Sequence, residues 1–224
     1  MDRKKDVSSL LWGLVGAGVG FFGLLCFNSY LLMSLPMGMR MMTMIPAYWL
    51  IGIAPACVAV RRKIRLSDMG FSRENLGRQI FIGLLITLAM SAVLTLLPHL
   101  LGYGQYFSSG KNYIYAWQFA YELAYCLLAV GLTEEFVFRG FVYERLAKIC
   151  GSEGAAIVWS SVLFGLFHLA GGSIVQVLMT GAIGAVLCLC RKHIKGCTTL
   201  SLIIAHGVYD WLICIIPFIL NGTV

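Results

Sequence analysis

The chain has 224 residues; 59% are hydrophobic, only 12% are charged, and the mean hydropathy is +0.85. Soluble domains carry about a quarter charged residues and about half apolar ones, while disordered chains combine low hydrophobicity with high charge. Both classes are excluded, which leaves an integral membrane protein. The net charge of +7 comes from 17 Lys and Arg against 10 Asp and Glu. No basic stretch is interleaved with aromatic residues on a polar background, so the excess reads as anchoring of membrane helices, not as a nucleic-acid surface.

Seven apolar helices are predicted, at about 9–33, 41–60, 80–101, 116–137, 155–171, 174–190 and 199–220. Arg3, Lys4 and Lys5 precede the first, and its apolar run continues to about Leu35 without an Ala-x-Ala-like site, as in a retained span rather than a cleaved signal. Gly16 and Gly20 form a Gly-xxx-Gly pair on this helix. Such a pair serves either as a dimer face or for close packing inside a bundle. The segment 61–79, with Leu66, Met69, Phe71 and Leu76 among its charges, is expected along the cytoplasmic interface. The loop 102–115, with Tyr103, Tyr106, Phe107, Tyr113 and Tyr115, suits an interfacial aromatic belt. The fifth and sixth helices are short for a bilayer that asks for ~20 residues, and a Gly171-Gly172-Ser173 turn joins them.

Alternating these spans from a cytoplasmic N-terminus places fifteen Lys and Arg inside and only Arg40 and Lys111 outside. That asymmetry sets the expected orientation. No CxxC pair occurs, and six of the eight Cys residues lie within apolar runs, where Cys acts as a small hydrophobe. With no internal repeat, residues 1–224 read as one membrane domain: three N-terminal helices over 1–101, then a polar-motif region over 116–220.

A charge at mid-membrane costs about 2.5–3.5 kcal/mol on insertion scales, so each one needs a reason. Glu122 lies near the outer end of helix 4 and can reach headgroups. The others fall into three patterns. In Thr133-Glu134-Glu135-Phe136-Val137-Phe138-Arg139, Glu135 and Arg139 stand at i,i+4 and can pair. Glu134 points about 100° away and can face the bundle interior, where a carboxyl group suits general acid–base work. In Phe164-Gly165-Leu166-Phe167-His168, Phe164 and His168 share a face, although a lone His on an apolar helix is usually a core residue. In His206-Gly207-Val208-Tyr209-Asp210, His and Asp point the same way. They form either a local pair that fixes the His tautomer or a two-point site for a metal or an oxyanion.

Glu134 lies 17 residues before Gly151 and His168 lies 17 after it. At about 1.5 Å per residue, a helical hairpin turning at Gly151 brings both to one height, about 25 Å from the turn. The constellation Glu134, His168, His206 and Asp210 is then expected to open toward the cytoplasmic side.

The three motifs together resemble the CPBP family: type II CAAX prenyl endopeptidases and bacteriocin-processing or immunity proteins, also called Abi. The family pattern is Glu-Glu-xxx-Arg, then Phe-xxx-His, then His-xxx-Asn/Asp, met here as Glu134-Glu135…Arg139, Phe164…His168 and His206…Asp210. The resemblance spans residues 116–216; the first three helices carry no signature of it. It implies an all-α intramembrane endopeptidase, with Glu134 and His168 activating water and with His206 and Asp210 stabilising the oxyanion. Glu135 and Arg139 would then be structural support, together with Phe164. The implied substrate is a membrane protein or peptide, lipidated or not, cut near the cytoplasmic face; separately, the small size and the absence of a targeting peptide fit a bacterial plasma membrane. The family has been read both as metal-free and as zinc-dependent. The four side chains could ligate a divalent metal, but the His-Glu-xx-His helix is absent, which favours no cofactor. Asp210 stands where CAAX enzymes typically have Asn, which favours a His206-orienting or metal-ligand role and puts CAAX substrates in doubt. A non-catalytic scaffold, immunity or regulatory protein of the same fold is the alternative. A proton-coupled transporter is disfavoured because no inverted repeat is visible.

Overall fold

The structure, a computed structural model, describes residues 3–103 and 113–221. Tyr106, Phe107 and Lys111 of the predicted outer loop lie outside them. The described residues are helical with no strand, as the apolar periodicity requires. Among the described residues, seven long helical segments follow one another: α1 (Arg3–Ser34), α2 (Met37–Arg61), α3 (Leu76–Tyr103), α4 (116–150), α5 (Glu153–Ala170), α6 (Ile174–His193) and α7 (Thr199–Asn221). All except α4 are long and apolar enough to cross a membrane. The fourth carries Glu122, Glu134, Glu135 and Arg139 along its length and is the least apolar of the seven.

α1 and α2 form an antiparallel pair. A Cβ on Gly16 would stand 2.1 Å from the Ala54 Cβ, and one on Gly20 would stand 2.2 Å from the Leu50 carbonyl oxygen. The Gly-xxx-Gly pair therefore serves packing inside the bundle. α2 breaks at Trp49, three residues after Pro46. Pro46 has no backbone N–H to donate.

α4 continues past the predicted end at 137 to Cys150, where Gly151 takes φ +64 and turns the chain into α5. Ser152 caps α5 by accepting from the Ala155 amide. α4 is not uniformly α-helical: π-helical stretches at Cys126–Gly131 and Phe136–Val142 flank the single α-turn Leu132–Glu135. π-Bulges of this kind are frequent at functional sites.

α3 packs on α7 through the Thr87 hydroxyl, which donates to the Ala205 carbonyl at 3.1 Å. α5 and α6 meet at Gly165, whose missing Cβ would lie 2.5 Å from the Val177 carbonyl oxygen.

The basic ends of the helices are tied together. Arg145 pairs with Asp6 at 3.0 Å, Lys192 with Glu153 at 3.0 Å, and Arg191 with Glu144. The segment between α2 and α3 folds back on this end. Leu66 and Leu76 face outward as expected of an interfacial segment, but Met69 is buried and Phe71 packs against Phe136 with ring centroids 6.5 Å apart. Thr199 locks the segment down, its hydroxyl donating to the Met69 carbonyl and its amide to the Gly70 carbonyl.

Candidate active site

The three motifs, spread over α4, α5 and α7, converge on one buried cluster. Glu134, Glu135 and Arg139 are each no more than 1% exposed, and His206 is 5% exposed. Groups so apolar in setting must find partners or they cost several kcal/mol, and most do.

Glu135 and Arg139 pair as their i,i+4 spacing predicts, Nη1 to Oε1 at 2.9 Å. The same Oε1 also accepts from His206 Nδ1 at 2.7 Å. Glu135 thus does more than pair with Arg139: it fixes which nitrogen of His206 faces the cluster. That contact requires α4 and α7 to approach closely, and two glycines permit it. A Cβ on Gly131 would meet the Ile203 carbonyl oxygen at 2.8 Å, and one on Gly207 would meet the Cys126 carbonyl oxygen at 2.8 Å.

His206 Nε2 faces Asp210 Oδ2 at 3.3 Å and Glu134 Oε2 at 3.8 Å. His168 occupies the short 3-10 turn that ends α5. Its Nδ1 donates to the Phe164 carbonyl at 2.9 Å, which leaves Nε2 to face Glu134 Oε2 at 3.8 Å. The matched heights inferred by counting from Gly151 are realised. Phe164 is the hub beneath: its ring lies under the Arg139 guanidinium, with Cζ 4.0 Å from the centroid, and edge-to-face with both imidazoles.

Glu134 Oε2 therefore stands equidistant from two imidazole nitrogens and is buried with no protein hydrogen bond. A gap of 3.8 Å is too long for a direct hydrogen bond and suits one water, about 2.8 Å from each side. A zinc ion held tetrahedrally at about 2.0–2.1 Å would draw its ligands to about 3.3 Å from one another. Among the described residues, no group of three or more His, Cys, Asp or Glu is arranged to hold a metal ion.

Toward the basic end the cluster is sealed. Arg191 Nη1 donates to the Arg139 carbonyl at 2.7 Å, and buried Met69 packs on Gly140. Side-chain exposure is confined to His168 at 21% and Asp210 at 29%. Both lie on the side away from the basic end.

One contributor carries no mark in the sequence. Tyr48, on α2, donates its hydroxyl to Glu134 Oε1. It is the only Tyr of α2 and follows Pro46 by two residues. A Tyr in an apolar helix reads first as an interfacial residue, so only the partner across the bundle singles it out.

Comparison with curated proteins and with solved structures gives no match. Residues 115–212, just under half of the chain, match the family model described as Type II CAAX prenyl endopeptidase Rce1-like; this is the peptidase family that the three motifs resemble, and the matched segment holds Glu134, His168, His206 and Asp210.

Proposed function

We propose that the protein is an intramembrane endopeptidase that hydrolyses a peptide bond of a membrane-associated protein or peptide with a glutamate-activated water. The observation that carries this reading is Glu134 Oε2, held 3.8 Å from Nε2 of both His168 and His206. A water between Glu134 and His168 gives its proton to the Glu134 carboxylate as its oxygen bonds to the scissile carbonyl carbon. The tetrahedral oxyanion forms beside His206. There Glu135 accepts from Nδ1, which turns Nε2 toward the cluster. The C–N bond then breaks, and the proton on Glu134 passes to the leaving amine. Asp210 orients His206, a task a carboxylate performs better than donation to an oxyanion. The substrate reaches the cluster from the His168 and Asp210 side, and no step calls for a metal.

The test is cleavage in proteoliposomes of fluorogenic peptides, one ending in a prenylated Cys-a-a-X box and one apolar but unlipidated. Glu134→Gln is expected to lose about 10²–10⁴-fold in rate, while a strong chelator leaves the wild type active. Wild-type rates in Glu134→Gln would overturn the catalytic reading and favour a scaffold. Loss of activity on chelation would overturn the metal-free reading.

A further inference from the structure

We propose that Tyr48 is a positioning residue of this site, and that the break in α2 serves to deliver it. The proposal rests on the reading of Glu134 as the general base. A carboxylate is useful as a base only if the correct oxygen points at the water. The Tyr48 hydroxyl engages Oε1, which turns Oε2 toward the two imidazoles. Without that bond the carboxylate is free to rotate about its last torsion, and a terminal sp² torsion is soft.

Several features converge on placing Tyr48. The ring stands edge-on to Tyr125 of α4, centroids 6.1 Å apart. The next residue, Trp49, sits at the break itself and donates its indole N–H to the Leu128 carbonyl at 2.7 Å. Leu128 belongs to the first π-helical stretch of α4, so the clamp ties the break in α2 to that stretch. One turn further, α2 runs beside Thr133, the residue before Glu134; a Cβ on Gly52 would be in ordinary contact with Thr133 Cγ2 at 3.5 Å. All of these α2 residues lie outside the 115–212 match. The N-terminal helices, mute in sequence, thereby complete the site.

The experiment is Tyr48→Phe in the intact protein, assayed in proteoliposomes on whichever of the two peptides the wild type cleaves. The variant removes one hydrogen bond to a charged group, so kcat is expected to fall about ten- to a hundredfold. KM is expected to stay at the wild-type value. In a Glu134→Gln background, Tyr48→Phe is expected to leave the residual rate unchanged. Trp49→Phe, which loosens the clamp but keeps the hydroxyl, is expected to lower kcat by a smaller factor at constant KM. Wild-type kcat in Tyr48→Phe, beside an inactive Glu134→Gln, overturns this inference and leaves the general base standing. Full activity of Glu134→Gln overturns both. An equal fall in the two backgrounds shows a structural role and also overturns it. Should Tyr48→Phe fail to fold, Trp49→Phe decides: unchanged kcat overturns the proposal.

Discussion

Arg139 is held between a charge and a ring: its Nη1 donates to Glu135 at 2.9 Å, and its Cζ lies 4.0 Å from the centroid of Phe164. Both contacts are buried. Removing the cation leaves the buried Glu135 carboxylate with only the His206 imidazole as a partner, a loss of up to about 3–5 kcal/mol. Arg139→Met is therefore expected to melt well below the wild type in detergent. Arg139→Lys keeps the charge but loses the planar fork and the stacking, and its melting point is expected to fall between the two. A melting temperature of Arg139→Met equal to wild type would show that this pair does not hold the core.

Glu135 Oε1 accepts from two cationic-type donors at once, Arg139 and His206. Glu135→Gln keeps the shape and removes the charge. Hydrogen bonds to charged groups contribute about 1.5–3 kcal/mol, so kcat is expected to fall about ten- to a hundredfold, with a lower melting temperature. Steady-state kinetics beside a melting curve check this. An unchanged kcat would mean that His206 is oriented by Asp210 alone.

Gly207 lies next to His206, and a Cβ on it would stand 2.8 Å from both the Cys126 carbonyl oxygen and the Leu127 Cα. Backbone atoms cannot swing aside. Gly207→Ala is expected to push α7 from α4, lose about 1–3 kcal/mol of stability and reduce kcat by moving His206. Gly18 has nothing within 4 Å of its would-be Cβ. Gly18→Ala is the matched control and is expected to match wild type in both measurements. Equal behaviour of the two variants would contradict the close helix contact.

Cysteine labelling tests the orientation inferred from the basic residues. Cys150 is exposed at the α4–α5 turn, while Cys197 is buried near the start of α7. Burial pushes the Cys197 thiol up to about 12, so little thiolate is present at neutral pH. A charged, impermeant maleimide is expected to label Cys150 in inverted vesicles but not in sealed cells, and to spare Cys197 in both. Peptide mapping by mass spectrometry reads the result. Labelling of Cys150 from outside sealed cells would reverse the orientation.

Local periodicity explains what was legible. Pairs at i,i+4 on one helix are fixed by helix geometry, so Glu135 with Arg139 and His206 with Asp210 could be drawn from spacing alone. The Glu134–His168 meeting was also within reach, because a helical hairpin about Gly151 imposes equal heights. The same hairpin carries α4 beyond its apolar span to Cys150, and its last turns, with Glu144, Arg145 and Lys148, form a polar tip.

By itself the sequence determined the membrane class, the helical spans, the charge asymmetry and the set of costly polar side chains, because each follows from transfer free energy or from a period along one helix. Only the tertiary structure decided how those side chains share partners. His206 Nδ1 finds Glu135 across 71 positions, and Tyr48 finds Glu134 across 86. Such contacts depend on close approaches of α4 to α7 and to α2, set by Gly131, Gly207 and the break at Trp49. Sequence spacing carries no record of which helix lies beside which, so the partner that orients the glutamate emerged only once the bundle was assembled.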